Sequence, residues 1–350
     1  MVIATTESTV LLLALVTLIC WGSWANTIKM GGKWRFELFY FDFAAGALLT
    51  ALIAAFTLGT LGADITFMDN MTIVRKLQLG YAAFAGAVFN LGNILLVGAV
   101  SLAGMAVAFS IGGGVAILVG IACEYYGAPH ASPGLVGAGC VALAGSIVAA
   151  ALSYRMLQQA RTLELEHAAE VTGKKAPAAK TAVKGIAISA VGGVLLGFTW
   201  PLVRNARQGD LEMGPYPLAL LFTGAMLATT MLYNVYFLNL PVQGDAISMF
   251  AYFRGTLKQH LIGIAGGVIW CTGTIASLAA AAAPVEILAK TSSVFYGLVQ
   301  GAGLLSVLWG LLYWKELVSG SNARIVMWVA AGIFGIGLTL VSLGHGATPK

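Results

Sequence analysis

Apolar residues run through this chain in long, nearly uninterrupted stretches, and charged residues gather in the gaps between them. The stretches predict helices near 9–28, 38–60, 79–100, 104–122, 134–153, 184–203, 216–238, 259–281, 286–313 and 325–344. Each is close to or above the roughly 20 residues that a helix needs to cross a bilayer. The segments are continuously apolar and do not alternate, which favours helices over the strands of a membrane barrel. Between the third and fourth helices the boundary is drawn through Ser101–Gly104 on length alone. The pattern predicts an all-α integral membrane protein with ten transmembrane helices.

One gap is long. Tyr154 to Thr181 carries Arg155, Arg161, Glu164, Glu166, Glu170, Lys174, Lys175 and Lys180, and reads as an extension of the fifth helix running into an Ala/Pro/Lys linker. It divides the chain into a first five-helix repeat over 1–153, a basic linker over 154–183 and a second five-helix repeat over 184–350.

Composition sharpens the class. Hydrophobic residues make up 59% and charged residues 9% of the chain, whereas soluble domains carry roughly a quarter charged residues; most of this surface must face lipid. Many of the 44 glycines fall inside the apolar stretches, where small residues let membrane helices approach closely. Cys20, Cys123, Cys140 and Cys271 lack metal-ligand spacing and read as packing residues, so neither a metal nor a cofactor is expected. No basic residue precedes the first apolar run, which argues against a cleaved signal peptide. The net charge of +5 does not imply a nucleic-acid partner, because the cations sit in loops beside the apolar segments. Lys29, Lys33, Arg35, the linker, Arg254, Lys258, Lys315 and Arg324 fall on one side; only Arg75, Lys76, Arg204, Arg207 and Lys350 fall on the other. Cytoplasmic loops are the lysine- and arginine-rich ones, so the linker is expected in the cytoplasm and both termini outside a cell membrane.

The halves repeat. Gly22-Ser23-Trp24-Ala25 aligns with Phe198-Thr199-Trp200-Pro201, Gly46-Ala47 with Gly224-Ala225, and Gly86 to Asn93 with Gly267 to Thr274, all in order at a near-constant offset. Five helices per half is an odd number, so equivalent helices enter the membrane from opposite sides and the repeats are expected to be inverted. That architecture typifies secondary transporters with a substrate site between the halves.

The run Cys20-Trp21-Gly22-Ser23-Trp24-Ala25-Asn26-Thr27, followed by Trp34-Arg35-Phe36-Glu37-Leu38-Phe39-Tyr40-Phe41-Asp42, resembles the drug/metabolite transporter superfamily branch that holds bacterial glucose/ribose porters and plant ureide permeases. Ten helices and a basic central linker agree with it along the whole chain. The resemblance implies uptake of a small polar solute, often coupled to protons, through a site made mainly by the first, third and fourth helices of each half. A sugar is the first expectation, a ureide or nucleobase the second and drug export the third. Plant ureide permeases are described as carrying a nucleotide-type motif in the central loop. Here Gly173-Lys174-Lys175 lacks the upstream glycine, Ala168 standing there, and the following Ser/Thr, so nucleotide binding is not expected.

Polar side chains at membrane depth are costly and mark either a site or a clamp between helices. Trp24 and Trp200 occupy matching positions and can stack on a sugar or heterocycle, with an interfacial tryptophan belt as the alternative; Trp21, one turn away from Trp24, reads as facing lipid. Asn90 and Asn93, three apart, share a helix face and suit a neutral solute. Their counterparts are Cys271 and Thr274, with Trp270 alongside. In the ninth helix Glu286 and Lys290 are spaced to pair, and Lys290, Ser293, Tyr296 and Gln300 recur within an arc of roughly 120 degrees, a polar stripe expected to face an interior cavity. Snorkelling is the alternative for Lys290. Asp42, with Glu37 and Glu286 behind it, is the candidate for proton coupling; a helix-start carboxylate is the alternative. Ser110 and Gly112-Gly113-Gly114 read as a hinge or cavity wall. His130, His167, His260 and His345 read as scattered near loops and ends. No catalytic motif is evident, so an enzyme is not expected, and a receptor would be expected to carry a larger folded loop.

Overall fold

The computed structural model describes residues 1–62, 65–127, 132–172, 182–209, 211–317 and 322–346. The described residues form helices and connecting turns without a strand. The helices are α1 (Glu7–Ser23), α2 (Asn26–Met30), α3 (Phe36–Phe56), α4 (Phe67–Ile73), α5 (Lys76–Ala103), α6 (Met105–Gly127), α7 (Pro133–Thr172), α8 (Ala182–Arg207), α9 (Pro215–Asn239), α10 (Leu257–Ala281), α11 (Val285–Leu308) and α12 (Asn322–Gly346). A 3-10 turn covers Met249–Arg254, and a π-helical turn, Trp309–Tyr313, ends α11. With α1 and α2 taken as one span, ten segments are long and apolar enough to cross a membrane, the architecture of a multi-pass membrane protein.

Most helices are longer than their apolar cores, because polar end-turns continue the hydrogen-bond ladder past the hydrocarbon. The fifth extends to Thr172 as the reading of the linker anticipates. Between α5 and α6 the break falls at Gly104, whose φ of 90° is open to glycine and strained for other residues. The Gly173-Lys174-Lys175 run lies outside the described residues.

The exterior is greasy in the manner of a lipid-facing surface: Leu12, Ile19, Leu49, Ile53, Phe84, Val141, Val148 and Ile336 are all exposed. Inside, α3 packs on α9 and α10, α5 on α8 and α9, α1 on α10 and α11, α6 on α8, and α7 on α12. Backbones come very close at two glycines. A Cβ on Gly86 of α5 would overlap the carbonyl oxygen of Phe222 on α9, and one on Gly267 of α10 would overlap that of Phe43 on α3.

Contacts between distant loops define two faces. On one, where α7 ends and α8 begins, Lys29 meets Glu316, Arg35 meets the carbonyl of Asp245 at 2.6 Å, and Ser153 donates to the carbonyl of Ala323 at 2.6 Å. On the opposite face, where α1 begins and α12 ends, Tyr216 donates to the carbonyl of Val2 at 2.7 Å, Asn70 to that of Glu212 at 3.0 Å, and Arg207 to that of Ala281 at 3.1 Å. These are called the linker face and the terminal face below.

Gly267→Ala is expected to lower thermal stability in detergent by about 1–3 kcal/mol, the usual cost of forcing extra atoms into a packed core. An unchanged melting temperature would mean that α3 and α10 are not in backbone contact.

Candidate functional site

A central cavity of about 190 Å³ lies among α1, α5, α6, α8, α9, α10 and α11. One wall is aromatic. Phe89 stacks on Trp270 at 4.8 Å between ring centroids, and Phe222 lies 6.2 Å from the same indole. Phe43 bridges Trp270 and Trp24, at 5.9 and 4.8 Å. Trp21 and Trp200 complete the aromatic lining, and none of the described lining residues is charged. Toward the terminal face the cavity reaches Val203, Leu218 and Leu278, near the ends of α8, α9 and α10. Toward the linker face it stops at Trp24 and Phe109, whose rings meet edge to face at 6.5 Å.

Five polar residues line it: Asn93, Thr199, Thr274, Ser277 and Gln300. Asn93 donates to the Tyr40 hydroxyl at 2.9 Å, which orients the amide. Thr274 donates to the carbonyl of Trp270 and accepts the Trp21 indole N–H, each at 3.1 Å. The Ser277 hydroxyl is 1% exposed and has no hydrogen-bond partner. Among the described residues the Gln300 amide and the indole N–H groups of Trp24, Trp200 and Trp270 also lack partners. A buried polar group without a partner costs on the order of 1–3 kcal/mol. Unpartnered donors and acceptors around an aromatic wall form a surface suited to an uncharged ring compound with hydrogen-bonding edges.

Of the residues expected at the site, Trp24, Asn93, Trp200, Trp270, Thr274 and Gln300 meet around this cavity. Trp21 also lines it and does not face lipid. Others turn elsewhere. Asn90 donates to Thr229 at 2.8 Å and Thr230 at 3.1 Å, a clamp between α5 and α9, because a three-residue step rotates it about 60 degrees from Asn93. The ninth-helix stripe does not face the cavity as a unit: Ser293 donates to the carbonyl of Ser342 at 2.7 Å, Tyr296 stacks on His345 at 4.5 Å, and exposed Lys290 pairs with Glu7 at 3.2 Å and not with Glu286, which is itself exposed. Ser293 and Gln300 have nearly the same azimuth, yet packed helices cross at an angle. At one depth the stripe meets α12 and at another the cavity. Gly113 lines the cavity, while Ser110 packs on Met327 and Gly112 against Leu96.

Three carboxylates and their partners gather on the linker face. Glu37 is fully buried and bound by Arg35 through Nε at 3.1 Å and Nη2 at 2.5 Å. Asp42, 3% exposed, accepts the Tyr252 hydroxyl at 2.5 Å and faces His260 Nδ1 at 2.8 Å. Burial and the Asp42 carboxylate push the Tyr252 phenol well above the usual tyrosine range, so it stays a donor at neutral pH. The histidine reading therefore missed His260. It also missed Glu316, which accepts the first N–H groups of α6, from Met105 at 2.7 Å and Ala106 at 2.8 Å, and pairs with Lys29 at 2.5 Å. The π-turn and Lys315, held at a φ of 48°, bend the chain back to bring Glu316 there. Trp309 and Trp314 donate to Ser23 at 3.1 Å and Asn26 at 2.7 Å, closing α11 onto α1 and α2. Two signals were legible: Glu316 follows an apolar run, and its carboxylate suits the unsatisfied N–H groups of a helix start.

No protein-family model matches the chain, and no curated protein matches it. Among solved structures, one chain of known crystal structure is similar at a TM-score of 0.51 and 16% identity, over 94% of this chain and 96% of that one. The likeness extends over the whole helical arrangement, and at this identity it bears on fold alone.

Glu316→Ala is expected to lower stability by about 2 kcal/mol, since it strips charged hydrogen bonds from α6 and Lys29. Asn90→Ala should cost about 1 kcal/mol, as an interhelical clamp in lipid does, and Lys290→Ala should leave the melting temperature unchanged. Thermal unfolding in detergent ranks the three; a Lys290 effect equal to that of Glu316 would reverse the assignment.

Proposed function

We propose that the chain is a secondary transporter of the drug/metabolite transporter type, moving a small uncharged polar solute by alternating access between two inverted five-helix halves. The observation that carries this reading is the central cavity, uncharged and aromatic, edged by Ser277 and Gln300, which have no partner among the described residues, and drawn from helices on both sides of the linker. Most of its wall comes from the first, third and fourth spans of each half, with Leu218 and Phe222 of α9 added.

The pairing of helices supports the inverted repeat. Exchanging the halves turns α5 on α8 into α10 on α1, α5 on α9 into α10 on α3, and α6 on α8 into α11 on α1, and each of these pairs is in contact. The aligned glycines Gly86 and Gly267 both abut a phenylalanine carbonyl on the second span of the opposite half. In this reading the linker face, richer in lysine and arginine, is cytoplasmic, both termini lie outside the cell membrane, and the Glu316 latch holds the cytoplasmic side shut while the cavity extends outward.

For the cargo, a sugar is the first choice, because Trp24, Trp200 and Trp270 offer aromatic faces beside amide and hydroxyl groups. A ureide or nucleobase is the second, and the uncharged lining disfavours organic cations. Protons are the proposed coupling ion. Asp42 is the group for it, since Glu37 is held by Arg35 and Glu286 is exposed.

Labelled sugars, ureides and nucleobases offered to proteoliposomes, with and without a proton gradient, test the reading directly. Uptake of one class that follows the gradient is expected, and binding without flux would favour a receptor. Ser277→Ala and Gln300→Ala should each cut uptake roughly three- to tenfold, the effect of one uncharged hydrogen bond, whereas Lys290→Ala should preserve it. Asp42→Asn should remove the pH dependence of uptake; an unaltered pH profile would return Asp42 to a structural role beside Tyr252 and His260.

A further inference from the structure

A second cavity, of about 470 Å³, opens on the linker face where the α2–α3 turn meets the end of α5 and the loop after α9. Three cations line it, Lys29, Lys33 and Arg35, together with Trp34 and Gln243, and no carboxylate is among its lining residues. Two of the cations have anionic partners. Glu316 holds Lys29 and Glu37 holds Arg35, but those carboxylates are only 7% and 0% exposed and stand away from the cavity wall.

Donor capacity therefore remains on the cavity side. An ammonium has three N–H donors, and Glu316 engages Lys29 through one oxygen. A guanidinium has five, of which Arg35 uses Nε and Nη2 on Glu37 and Nη1 on the carbonyl of Asp245. Exposed Lys33 has no partner among the described residues, nor has the Gln243 amide. Trp34 contributes a wall, its ring packed edge to face on His260 at 5.5 Å. Cations and an unused amide together call for acceptor oxygens carrying negative charge.

We propose that this cavity binds a phosphate-bearing anion at the membrane surface, with Lys33 as its principal ligand and Lys29 and Arg35 as flanking charges. The site is separate from the central cavity and does not depend on the transport reading. Two sources share this chemistry: the headgroup of an anionic phospholipid, since basic pockets beside membrane helices bind such headgroups, and a free phosphate group.

The test is a thermal-shift titration of the full chain in neutral detergent, at constant ionic strength. The probes are dihexanoyl-phosphatidylglycerol, dihexanoyl-phosphatidylcholine, inorganic phosphate and chloride. Saturable stabilisation by phosphatidylglycerol beyond phosphatidylcholine is the expected result, with about fivefold weaker binding in Lys33→Gln and recovery in Lys33→Arg. Lys33 is exposed and unpaired, so both variants should fold. Stabilisation by inorganic phosphate, alone or as well, would support the site and assign it to free phosphate groups; stabilisation by phosphatidylglycerol alone would assign it to lipid. No effect beyond phosphatidylcholine and chloride, or an effect equal in Lys33→Gln, would overturn the proposal.

Discussion

The centre of this protein depends on how closely α5 and α10 approach the helices beside them. Lipid tails are as apolar as the side chains they touch, so helices associate in a membrane through close packing and a few hydrogen bonds. Gly86 and Gly267 bring the backbones of α5 and α10 directly against α9 and α3. With these pairs locked, the bulky residues on the same helices, Phe89 and Trp270, are turned inward and stack on each other. The space left beside that stack is the cavity.

Polar groups within the bundle then fall into two kinds, separated by whether they have partners. Asn90, Ser293, Ser146 and Ser306 bond across helices, Ser146 to the carbonyl of Ala330 at 2.9 Å and Ser306 to that of Gly22 at 3.0 Å, and so act as clamps. Ser277 is buried without a partner at the cavity, and half-buried Gln300 lines it with no partner among the described residues. An unmet hydrogen bond in a low-dielectric interior is costly, so the Ser277 hydroxyl is a strained point of the cavity wall.

The linker face is organised by three buried carboxylates, each answered differently. Glu37 is neutralised within its own helix start by Arg35, Asp42 is shared between a histidine and a phenol from the α9–α10 segment, and Glu316 ties the end of α11 to the start of α6 and to Lys29. Buried charge is tolerable only with such partners. The linker face is thus bound together by electrostatics, and the terminal face combines the ion pairs of Lys290 with Glu7 and Arg207 with Glu212 with amide contacts such as Asn70 with Gly214 at 2.9 Å.

Hydropathy alone determined the ten spans, the break before Met105, the continuation of the fifth helix and the inventory of polar residues at depth, because lipid imposes a one-dimensional rule on composition. The 3.6-residue period set relative azimuths along each helix, but it misplaced Trp21, which lines the cavity. Only the tertiary structure decided what each face meets. Asn90 and Asn93 differ by one small rotation, yet one is a clamp and the other a wall; Ser293 and Gln300 share an azimuth, yet meet different neighbours at different depths. Glu316 and His260 could not be matched to partners along the chain, because those partners lie about two hundred positions away, on Met105 and Asp42. Crossing angles and glycine contacts set those meetings, and they are properties of helix pairs, which the periodicity of a single helix does not contain.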